Sequence, residues 1–264
     1  FNTVSDAVKS TGATVSMIFV PPAFVGTILV TGASGGIGRA ISQSFAKANG
    51  TVIVHYNSNK SGANETLTSL LGVGHSIVKA DLSNASEVDN LVKSTRIIDV
   101  VVNNAAIVEQ YDFYSLSFDD WQDVWKRTIG ANLMGPAYLM FCAAKVMQKN
   151  GGGKFVNISS RGAFRGEPKA PAYGASKAGL NALGQSMAQA LAKDNIFVYT
   201  IAPGFVGTDR VANIVDDSIR AQSPLNRVAK PEEVARTALW LASEGNDFLT
   251  GCIVDVNGAS YLRS

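Results

Sequence analysis

From residue 27 onward, short runs of apolar residues alternate with longer segments in which apolar residues recur at helical spacing. The apolar runs are continuous and rich in β-branched residues, which is typical of strands buried on both faces of a parallel sheet. Helices are the usual crossovers between such strands. The pattern predicts strands at TILVT (27–31), TVIVHY (51–56), SIVKA (76–80), DVVVN (99–103), KFVNIS (154–159), FVYTIA (197–202) and CIVDVN (252–257), with helices near 37–48, 63–71, 85–94, 118–148, 175–192 and 231–242.

These elements predict an α/β fold: a doubly wound, mostly seven-stranded parallel sheet that is Rossmann-like, with helices on both faces. Ligands of such sheets bind beyond the carboxyl ends of the strands, so a site is expected in the loops that follow strands. Residues 27–264 are predicted to form a single domain, and residues 1–26 an appended N-terminal segment.

The first residues, FNTVSDAVKSTGATVSMIFVPPAF, do not continue the alternation. They resemble a helix–strand piece of the CoA-binding α subunit of succinyl-CoA ligase, and a lone piece of that kind cannot make a CoA site. We expect an appended or fused tail. An extra strand docked on a sheet edge is the alternative.

Composition and charge argue against several classes of partner. The chain has 264 residues, and a hydrophobic content of 46% is enough for a sizeable core. The net charge is only +2 and no stretch concentrates Lys and Arg, so we expect no nucleic-acid partner. The most apolar stretch, SMIFVPPAFVGTILV, is broken by Pro21, Pro22 and Gly26, so we expect no membrane span.

The cysteines and histidines lack the spacing of a metal site. Cys142 and Cys252 lie in apolar contexts, and we expect buried free thiols in a reducing compartment. The first residues lack the features of a signal or transit peptide, so we expect a cytoplasmic protein. His55 and His75 have no partner motif, which leaves a zinc site or a Ser-His-Asp triad with little support.

A glycine-rich loop, TGASGGIG (Thr31 to Gly38), follows the first predicted strand and opens a helix. Glycines there permit a tight turn and let backbone N–H groups approach a pyrophosphate, while the helix N-terminus adds partial positive charge. A packing turn is the alternative, because many tight turns need glycine. The position after the first strand favours a dinucleotide-binding loop.

The fourth predicted strand ends in NNAA, Asn103 to Ala106. Asparagine amides can hold neighbouring strands and loops together, and small alanines leave room for a flat ligand. A simple Asx turn at the strand end is the alternative.

Ser160, in NISSRGAF, lies at the carboxyl end of strand five, and Tyr173 follows it thirteen residues later. Lys177 comes four residues after Tyr173, in PAYGASKAG, which is one helical turn. A tyrosine hydroxyl can protonate a carbonyl as hydride arrives, and a serine hydroxyl can hydrogen-bond that carbonyl. Bringing a tyrosine pKa from about 10 to about 7 needs roughly 4 kcal/mol of phenolate stabilisation. Lys177 and an oxidised nicotinamide together could supply it. An ordinary surface pair is the alternative.

The glycine loop, NNAA, the serine, YGASK and APGFVGT occur in the order of the short-chain dehydrogenase/reductase family, which the chain resembles from about residue 27 to its C-terminus. The stretch PLNRVAKPEEVARTALWLASEGNDFLTGCIVDVNGA resembles the C-terminal third of the 3-oxoacyl-[acyl-carrier-protein] reductase-like members. The resemblance implies an NAD(P)-dependent oxidoreductase that acts on a small carbonyl or alcohol substrate, an acyl thioester among the options. It also implies a homotetramer, or at least a dimer, through the helices near 118–148 and 175–192.

The resemblance further implies a catalytic tetrad. Tyr173 would be the general acid/base, and Lys177 would tune its pKa and bind the nicotinamide ribose. Ser160 would orient the carbonyl, with Ser159 as its competitor, and Asn132 would hold a water that links Lys177 to solvent. The alternative for Asn132 is a residue that only bends or caps its helix.

Cofactor contacts follow from the same resemblance. The segment after strand six would lie over the nicotinamide carboxamide, and Asp81 with Leu82 would contact the adenine side. A helix N-cap is the alternative for Asp81. Besides Tyr173 and Lys177, the implied cofactor residues are Gly32, Ser34, Gly36, Ile37, Gly38, Arg39, Tyr56, Asn57, Ser58, Asp81, Leu82, Asn103, Ala105, Pro203, Gly204, Val206 and Thr208.

The end of strand two bears on the choice of cofactor. An NAD-specific site of this fold places an Asp or Glu there, whereas VIVHYNSNK offers no carboxylate before Glu65. We expect NADP(H) to be preferred, with NAD(H) as the alternative. Gly35 occupies a loop position where many NADP-using relatives carry a basic residue, so a preference of roughly tenfold to a hundredfold is expected. Candidate donors to a 2′-phosphate are Asn57, Ser58, Lys60 and Arg39.

The sequence departs from the family pattern at Ala106 and in one later segment, and two other functions are alternatives to an oxidoreductase. Ala106 stands where the family usually has glycine, at a cost of about 1 kcal/mol if its φ is positive, which we expect to be tolerated. The segment TDRVANIVDDSIRAQSPLNR, which covers the substrate in the family, looks short. A non-catalytic dinucleotide-binding sensor or scaffold would need only the glycine loop. An enzyme acting on nucleotide sugars would need a larger C-terminal domain.

Overall fold

The computed structural model of the protein describes residues 26–209 and 214–263. Residues 1–25, with their resemblance to a piece of succinyl-CoA ligase, lie outside this range. The appended segment and its alternative, an extra edge strand, therefore stay predictions.

Seven strands of the described chain form one sheet in the order β3-β2-β1-β4-β5-β6-β7, and all neighbours pair in parallel. The predicted doubly wound α/β fold is confirmed. The strand order reverses between β1 and β4, and the crevice at that point is where sheets of this type bind ligands. The strands are β1 (Thr27–Val30), β2 (Thr51–Tyr56), β3 (Ser76–Lys79), β4 (Val100–Asn103), β5 (Gly153–Ile158), β6 (Ile196–Pro203) and β7 (Ile253–Val256).

Helices connect the strands and cover both faces of the sheet. Short 3₁₀ turns occur at Phe113–Ser115, Ala192–Asp194 and Asp247–Leu249. The α-helices are α1 (Gly36–Lys47), α2 (Lys60–Thr68), α3 (Ala85–Ser94), α4 (Phe118–Ile129), α5 (Gly135–Lys149), α6 (Gly162–Arg165), α7 (Pro171–Leu191), α8 (Asp217–Arg220) and α9 (Pro231–Ala242).

Strand β1 shows how a continuous apolar run supplies two cores. Ile28 and Val30 belong to the core beneath α1 and α9, whereas Leu29 belongs to the core beneath α3 and α5. Successive side chains of a strand point to opposite faces, so both faces need apolar residues. Phe45 of α1 and Met147 of α5 are fully buried, one in each core.

The segment predicted as one helix over 118–148 is divided in the structure. A π-helical segment, Gly130–Met134, separates α4 from α5 and contains Asn132. Segments of this kind interrupt the regular i→i−4 hydrogen bonds and occur often at functional sites. Apolar periodicity alone does not reveal such an interruption.

Helix α7 begins four residues earlier than its predicted start at 175. Pro171 occupies its first turn, where a missing N–H costs no hydrogen bond. Tyr173 therefore lies within the first turn of a 21-residue helix rather than before it.

Cys142 and Cys252 are unpaired thiols that are half-buried, so the prediction of buried thiols is correct only in part. Burial raises the pKa of both thiols. Within residues 26–209 and 214–263, no helix is long and apolar enough to span a membrane. The same ranges contain no group of three or more His, Cys, Asp or Glu side chains placed to hold a metal ion.

Candidate active site

Thr31 and Asn104 hold the glycine loop against the end of β4. The Thr31 hydroxyl donates to the Val102 carbonyl (3.1 Å) and accepts from the backbone N–H groups of Asn104 (2.9 Å) and Ala105 (3.0 Å). The Asn104 amide nitrogen donates to the carbonyls of Thr31 (2.8 Å) and Gly32 (3.2 Å). The first residue after β1 and the NNAA segment therefore form one hydrogen-bonded unit at the switch point of the sheet.

Three glycines of the loop stand where a side chain would not fit. Gly32 and Gly36 have φ values of +61° and +53°, a conformation that L side chains rarely adopt. A Cβ on Gly32 would lie 2.8 Å from the Ala105 Cα. A Cβ on Gly38 would lie 2.7 Å from the Asn104 amide nitrogen and would also strike the Gly32 carbonyl oxygen.

The space beside Gly35 of the same loop, in contrast, is open. Gly35 precedes the first residue of α1, and a Cβ on it would meet no atom within 4 Å. Backbone N–H groups at a helix N-terminus beside open space fit the pyrophosphate of a dinucleotide. The alternative of a simple packing turn does not explain why the loop is tightly packed on one side and open on the other.

His55, for which the sequence offered no role, supports the same loop. The backbone N–H of Gly32 donates to its Nδ1 (3.2 Å), and its Nε2 pairs with the Ala80 carbonyl (3.0 Å). Burial lowers the pKa of His55 to about 4, so the ring is neutral near pH 7. A neutral ring can accept at Nδ1 and donate at Nε2, as these contacts require. A polar residue inside the apolar run TVIVHY was the signal that could have identified it.

Asn103 faces the interior of the sheet. Its amide nitrogen donates to the Asn157 Oδ1 (2.9 Å) across the β4–β5 pair, and both side chains are buried. An asparagine that joins two strands was one of the two interpretations of NNAA. This placement does not support a cofactor contact through the side chain of Asn103, and Asn104 is the asparagine that contacts the glycine loop.

An open cleft of about 490 Å³ lies beyond the carboxyl ends of the strands. Of the predicted site residues, the structure brings together in its walls Ile37, Ser160, Tyr173, Lys177, Pro203, Gly204, Val206 and Thr208. The other predicted residues do not line it: Gly32, Ser34, Gly36, Gly38, Arg39, Tyr56, Asn57, Ser58, Asp81, Leu82, Asn103, Ala105 and Asn132. Asn104 of the NNAA segment also lines the cleft, as do several residues that the sequence did not single out, including Val108, Gln110, Arg161, Glu167, Lys169 and Phe205.

Tyr173 and Lys177 share one face of α7, as their spacing predicted. The Lys177 Nζ lies 5.8 Å from the centre of the Tyr173 ring and donates to the Ile158 carbonyl at the end of β5 (2.7 Å). Lys177 is buried, so its charge acts at low local dielectric.

The two adjacent serines differ in what their hydroxyls do. The Ser159 hydroxyl is buried and donates to the backbone carbonyl of Lys177 (3.3 Å). The Ser160 hydroxyl oxygen accepts from the Gly162 N–H (3.0 Å), which leaves its proton available to a ligand. The geometry favours Ser160 over Ser159 as the residue that contacts a substrate carbonyl.

Asn132 is fully buried and ties three segments together. Its Oδ1 accepts from the Ile107 N–H (2.9 Å), and its Nδ2 donates to the Ile107 carbonyl (2.8 Å) and the Ser176 hydroxyl (3.1 Å). The side chain thus joins the π-helical segment to the loop after β4 and to α7. Both amide protons of Asn132 are used in these bonds.

The adenine-side prediction concerns the loop after β3. The Asp81 Oδ1 accepts from the backbone N–H and the hydroxyl of Ser83, forming a local turn. The N-cap of α3 is Asn84, whose side chain accepts from two backbone N–H groups of the first turn. The alternative interpretation of Asp81 as the helix N-cap is therefore wrong. Leu82 is buried against Gly135.

Arg39 is held by α2 and the glycine loop. Its Nη2 forms an ion pair with the Glu65 carboxylate (2.9 Å) and donates to the Ser34 carbonyl (3.1 Å), while its Nε donates to the Thr66 hydroxyl (3.0 Å). Glu65 therefore partly neutralises the charge that Arg39 would offer to a 2′-phosphate. Asn57, Ser58 and Lys60 are exposed at the end of β2, as a phosphate site there would require.

Ala106 is not among the non-glycine residues with positive φ in the described chain. The condition under which alanine would cost stability at this position is thus not met.

Comparison with known proteins agrees with this fold. The family model described as enoyl-(acyl carrier protein) reductase matches residues 32–259. A 3-oxoacyl-[acyl-carrier-protein] reductase of Synechocystis sp. is 35% identical over 89% of this chain and 96% of its own length. A 3α-hydroxysteroid dehydrogenase of Mediterraneibacter gnavus is 32% identical over 88% of this chain and 95% of its own. A solved short chain dehydrogenase/reductase family protein superposes with a TM-score of 0.80 at 30% identity, covering 88% of this chain and 95% of that one. The chain belongs to the short-chain dehydrogenase/reductase family.

Proposed function

We propose that the protein is an NADPH-preferring reductase that converts the ketone of a 3-oxoacyl compound, or a similar ketone, to an alcohol. The observation that carries this proposal is the convergence of Ser160, Tyr173 and Lys177 in one cleft beside Ile37 and Thr208 of the expected cofactor segments. The similarity to 3-oxoacyl-[acyl-carrier-protein] reductases supports the choice of substrate class.

Each of these residues has a separate task in the proposed reaction. A reduced nicotinamide, when bound, supplies the hydride that attacks the carbonyl carbon. The Ser160 hydroxyl donates a hydrogen bond to the carbonyl oxygen and fixes its orientation. The Tyr173 hydroxyl donates its proton to that oxygen. The ketone thus gains a hydride and a proton and becomes an alcohol, and Tyr173 becomes a phenolate.

Lys177 and Asn132 prepare Tyr173 for this step. Roughly 4 kcal/mol of preferential phenolate stabilisation is needed to bring a tyrosine pKa near 7. We propose that the buried Lys177 ammonium and the N-terminus of α7 supply part of it, and that Lys177 also binds the nicotinamide ribose. Asn132 forms hydrogen bonds with Ile107 and with Ser176 of α7, and these bonds fix the position of α7 relative to the cleft. Any water link to Lys177 would use the second lone pair of Asn132 Oδ1 or its backbone carbonyl.

A panel of carbonyl compounds, followed at the absorbance of reduced nicotinamide, tests the proposal. We expect a 3-oxo ester or thioester to be reduced with one NADPH oxidised per alcohol formed. Cofactor binding without oxidation for every carbonyl compound would identify the protein as a dinucleotide-binding sensor or scaffold instead.

We predict a modest preference for NADPH over NADH. No carboxylate ends β2, but Glu65 neutralises part of the Arg39 charge, so kcat/KM should favour NADPH by about tenfold, or about 1.4 kcal/mol. Gly35→Arg should widen the ratio at least fivefold, because Gly35 has extended backbone (φ 176°) and open space around it. The measurement is kcat/KM for both cofactors on one accepted ketone.

Gly35→Gln is the matched control, since it adds a side chain of similar reach without charge. A wild-type preference for NADH, or a Gly35→Arg ratio no different from that of Gly35→Gln, would contradict the proposed phosphate site.

We also propose that residues 27–264 form one oxidoreductase domain that assembles into a homotetramer through α4, α5 and α7. Apolar side chains are exposed along the first two of these helices, with Phe118 76% and Phe141 59% exposed.

Light scattering at micromolar concentration should give four times the 27.8 kDa chain mass, and Phe141→Glu should lower the measured mass. Val73→Glu, at an equally apolar residue that is 90% exposed in a loop, should not. A monomeric wild-type protein would contradict the assembly.

A further inference from the structure

Arg161 directly follows Ser160 in the chain and lies at the wall of the cleft. Its backbone N–H donates to the Pro203 carbonyl (2.9 Å), which fixes it between the ends of β5 and β6. Only 3% of the residue is exposed, although arginine is rarely buried without a partner. The backbone of Arg161 is therefore fixed at the end of β5, next to that of Ser160.

The guanidinium group of Arg161 uses little of its bonding capacity. Its Nη2 donates to the Gln222 Oε1, and its Cζ lies 5.0 Å from the centre of the Phe205 ring. Within residues 26–209 and 214–263, the side chain makes no other hydrogen bond and no ion pair. A guanidinium has five N–H donors, and Nε and Nη1 are left without protein acceptors in that part of the chain. Burial lowers the pKa of Arg161, and the nearby Arg165 lowers it further, while the Glu167 carboxylate offsets part of this effect.

The carboxylates around Arg161 already have cationic partners. Glu167 in the cleft is paired with Arg165 (3.6 Å). Glu233 and Asp255, which line an adjoining cavity of about 150 Å³, are paired with Arg227 and Arg263 at 2.7 Å each. None of these three carboxylates forms an ion pair with Arg161.

Arg161 and Phe205 line both the cleft and the adjoining cavity. Ser160 also lines the cleft, so a ligand whose carbonyl contacts Ser160 lies in the same cleft that Arg161 lines. The planar fork of a guanidinium matches a carboxylate, to which it can donate two parallel hydrogen bonds.

We propose that Arg161 binds a carboxylate of the substrate, so that the preferred substrates are oxo acids with the acid group a few bonds from the ketone. This inference rests on the proposed reductase function and narrows its substrate class. Arg161 is a specificity-determining residue in this account, and the proton transfer remains with Tyr173.

Matched acid and ester pairs test the inference. We would measure kcat/KM with NADPH for 3-oxobutanoate and 4-oxopentanoate, and for the methyl ester of each. The wild type should favour at least one acid over its ester by tenfold or more. In Arg161→Met that ratio should fall about tenfold or more, to near one, whereas in Arg161→Lys, which keeps the charge but not the fork, it should fall less.

Lys93→Met is the control, because it removes a positive charge from an exposed side chain that is paired with Asp89 and lines neither cavity. Its acid-to-ester ratio should stay within threefold of the wild type. NADPH affinity and thermal unfolding of each variant report whether it is folded. Inhibition of the wild type by succinate but not by dimethyl succinate gives a second measurement that needs no variant.

Three results would overturn the inference. Equal or better reduction of the esters, with no selective inhibition by succinate, would show that the site does not recognise an anion and would leave the reductase function standing. A similar loss for acid and ester in Arg161→Met would mean that Arg161 binds a neutral carbonyl oxygen, as a thioester would offer. Failure to reduce any acid, ester or neutral ketone would remove the reductase proposal, and this inference with it.

Discussion

Replacing Tyr173 by phenylalanine should lower kcat by at least a hundredfold while NADPH affinity changes by less than threefold. Phenylalanine keeps the ring in the first turn of α7 but has no proton to give to the carbonyl oxygen. General acid catalysis by a positioned side chain typically contributes about 10²–10⁴ in rate. Steady-state turnover together with titration of cofactor fluorescence would measure both effects.

Lys177→Met provides the comparison for this variant. Lys177 is expected to act on both the phenol and the ribose, so its loss should weaken NADPH binding as well as turnover. A Tyr173→Phe enzyme that retains more than a few per cent of wild-type kcat would contradict the assignment of Tyr173 as the acid.

Replacing Gly38 by alanine should weaken NADPH binding by at least a hundredfold. The added Cβ would lie 2.7 Å from the Asn104 amide nitrogen and 2.9 Å from the Ala33 Cα, and would strike the Gly32 carbonyl. Relieving that overlap requires the glycine loop to move away from Asn104, which also holds it through the Thr31 carbonyl (2.8 Å). Isothermal titration with NADPH measures the affinity directly.

Gly35→Ala is the matched control, because it adds the same methyl group three residues earlier in open space. Its affinity for NADPH should stay within threefold of the wild type. If Gly38→Ala bound NADPH as tightly as Gly35→Ala, the close packing of the loop would not be what forms the cofactor site.

The sheet could be predicted from the sequence because each strand is a continuous apolar run bounded by a helix pattern. The seven predicted strands match the observed ones to within one residue at every end. Residues whose role follows from spacing along one element, such as Tyr173 and Lys177, could be placed for the same reason.

Contacts between distant segments were not accessible in this way. The pairing of Arg39 with Glu65 joins residues that lie 26 positions apart on two helices. Because Glu65 partly neutralises Arg39, this pairing weakens the preference for NADPH that the end of β2 predicts. Likewise, the sequence has two adjacent asparagines, Asn103 and Asn104, at the end of β4, but it does not show which of them faces the sheet interior. The π-helical segment around Asn132 and the buried guanidinium of Arg161 depend on packing that no local pattern encodes.

The central claim is that this cleft transfers hydride from reduced nicotinamide to a ketone. The most direct measurement is incubation of the protein with NADPH that carries deuterium at the transferable C4 position and with methyl 3-oxobutanoate and 3-oxobutanoate as ketones, followed by mass spectrometry of the alcohols. We predict one deuterium on the new carbinol carbon for each NADPH oxidised. NADPH that binds but stays reduced, or an alcohol without deuterium, would contradict the account.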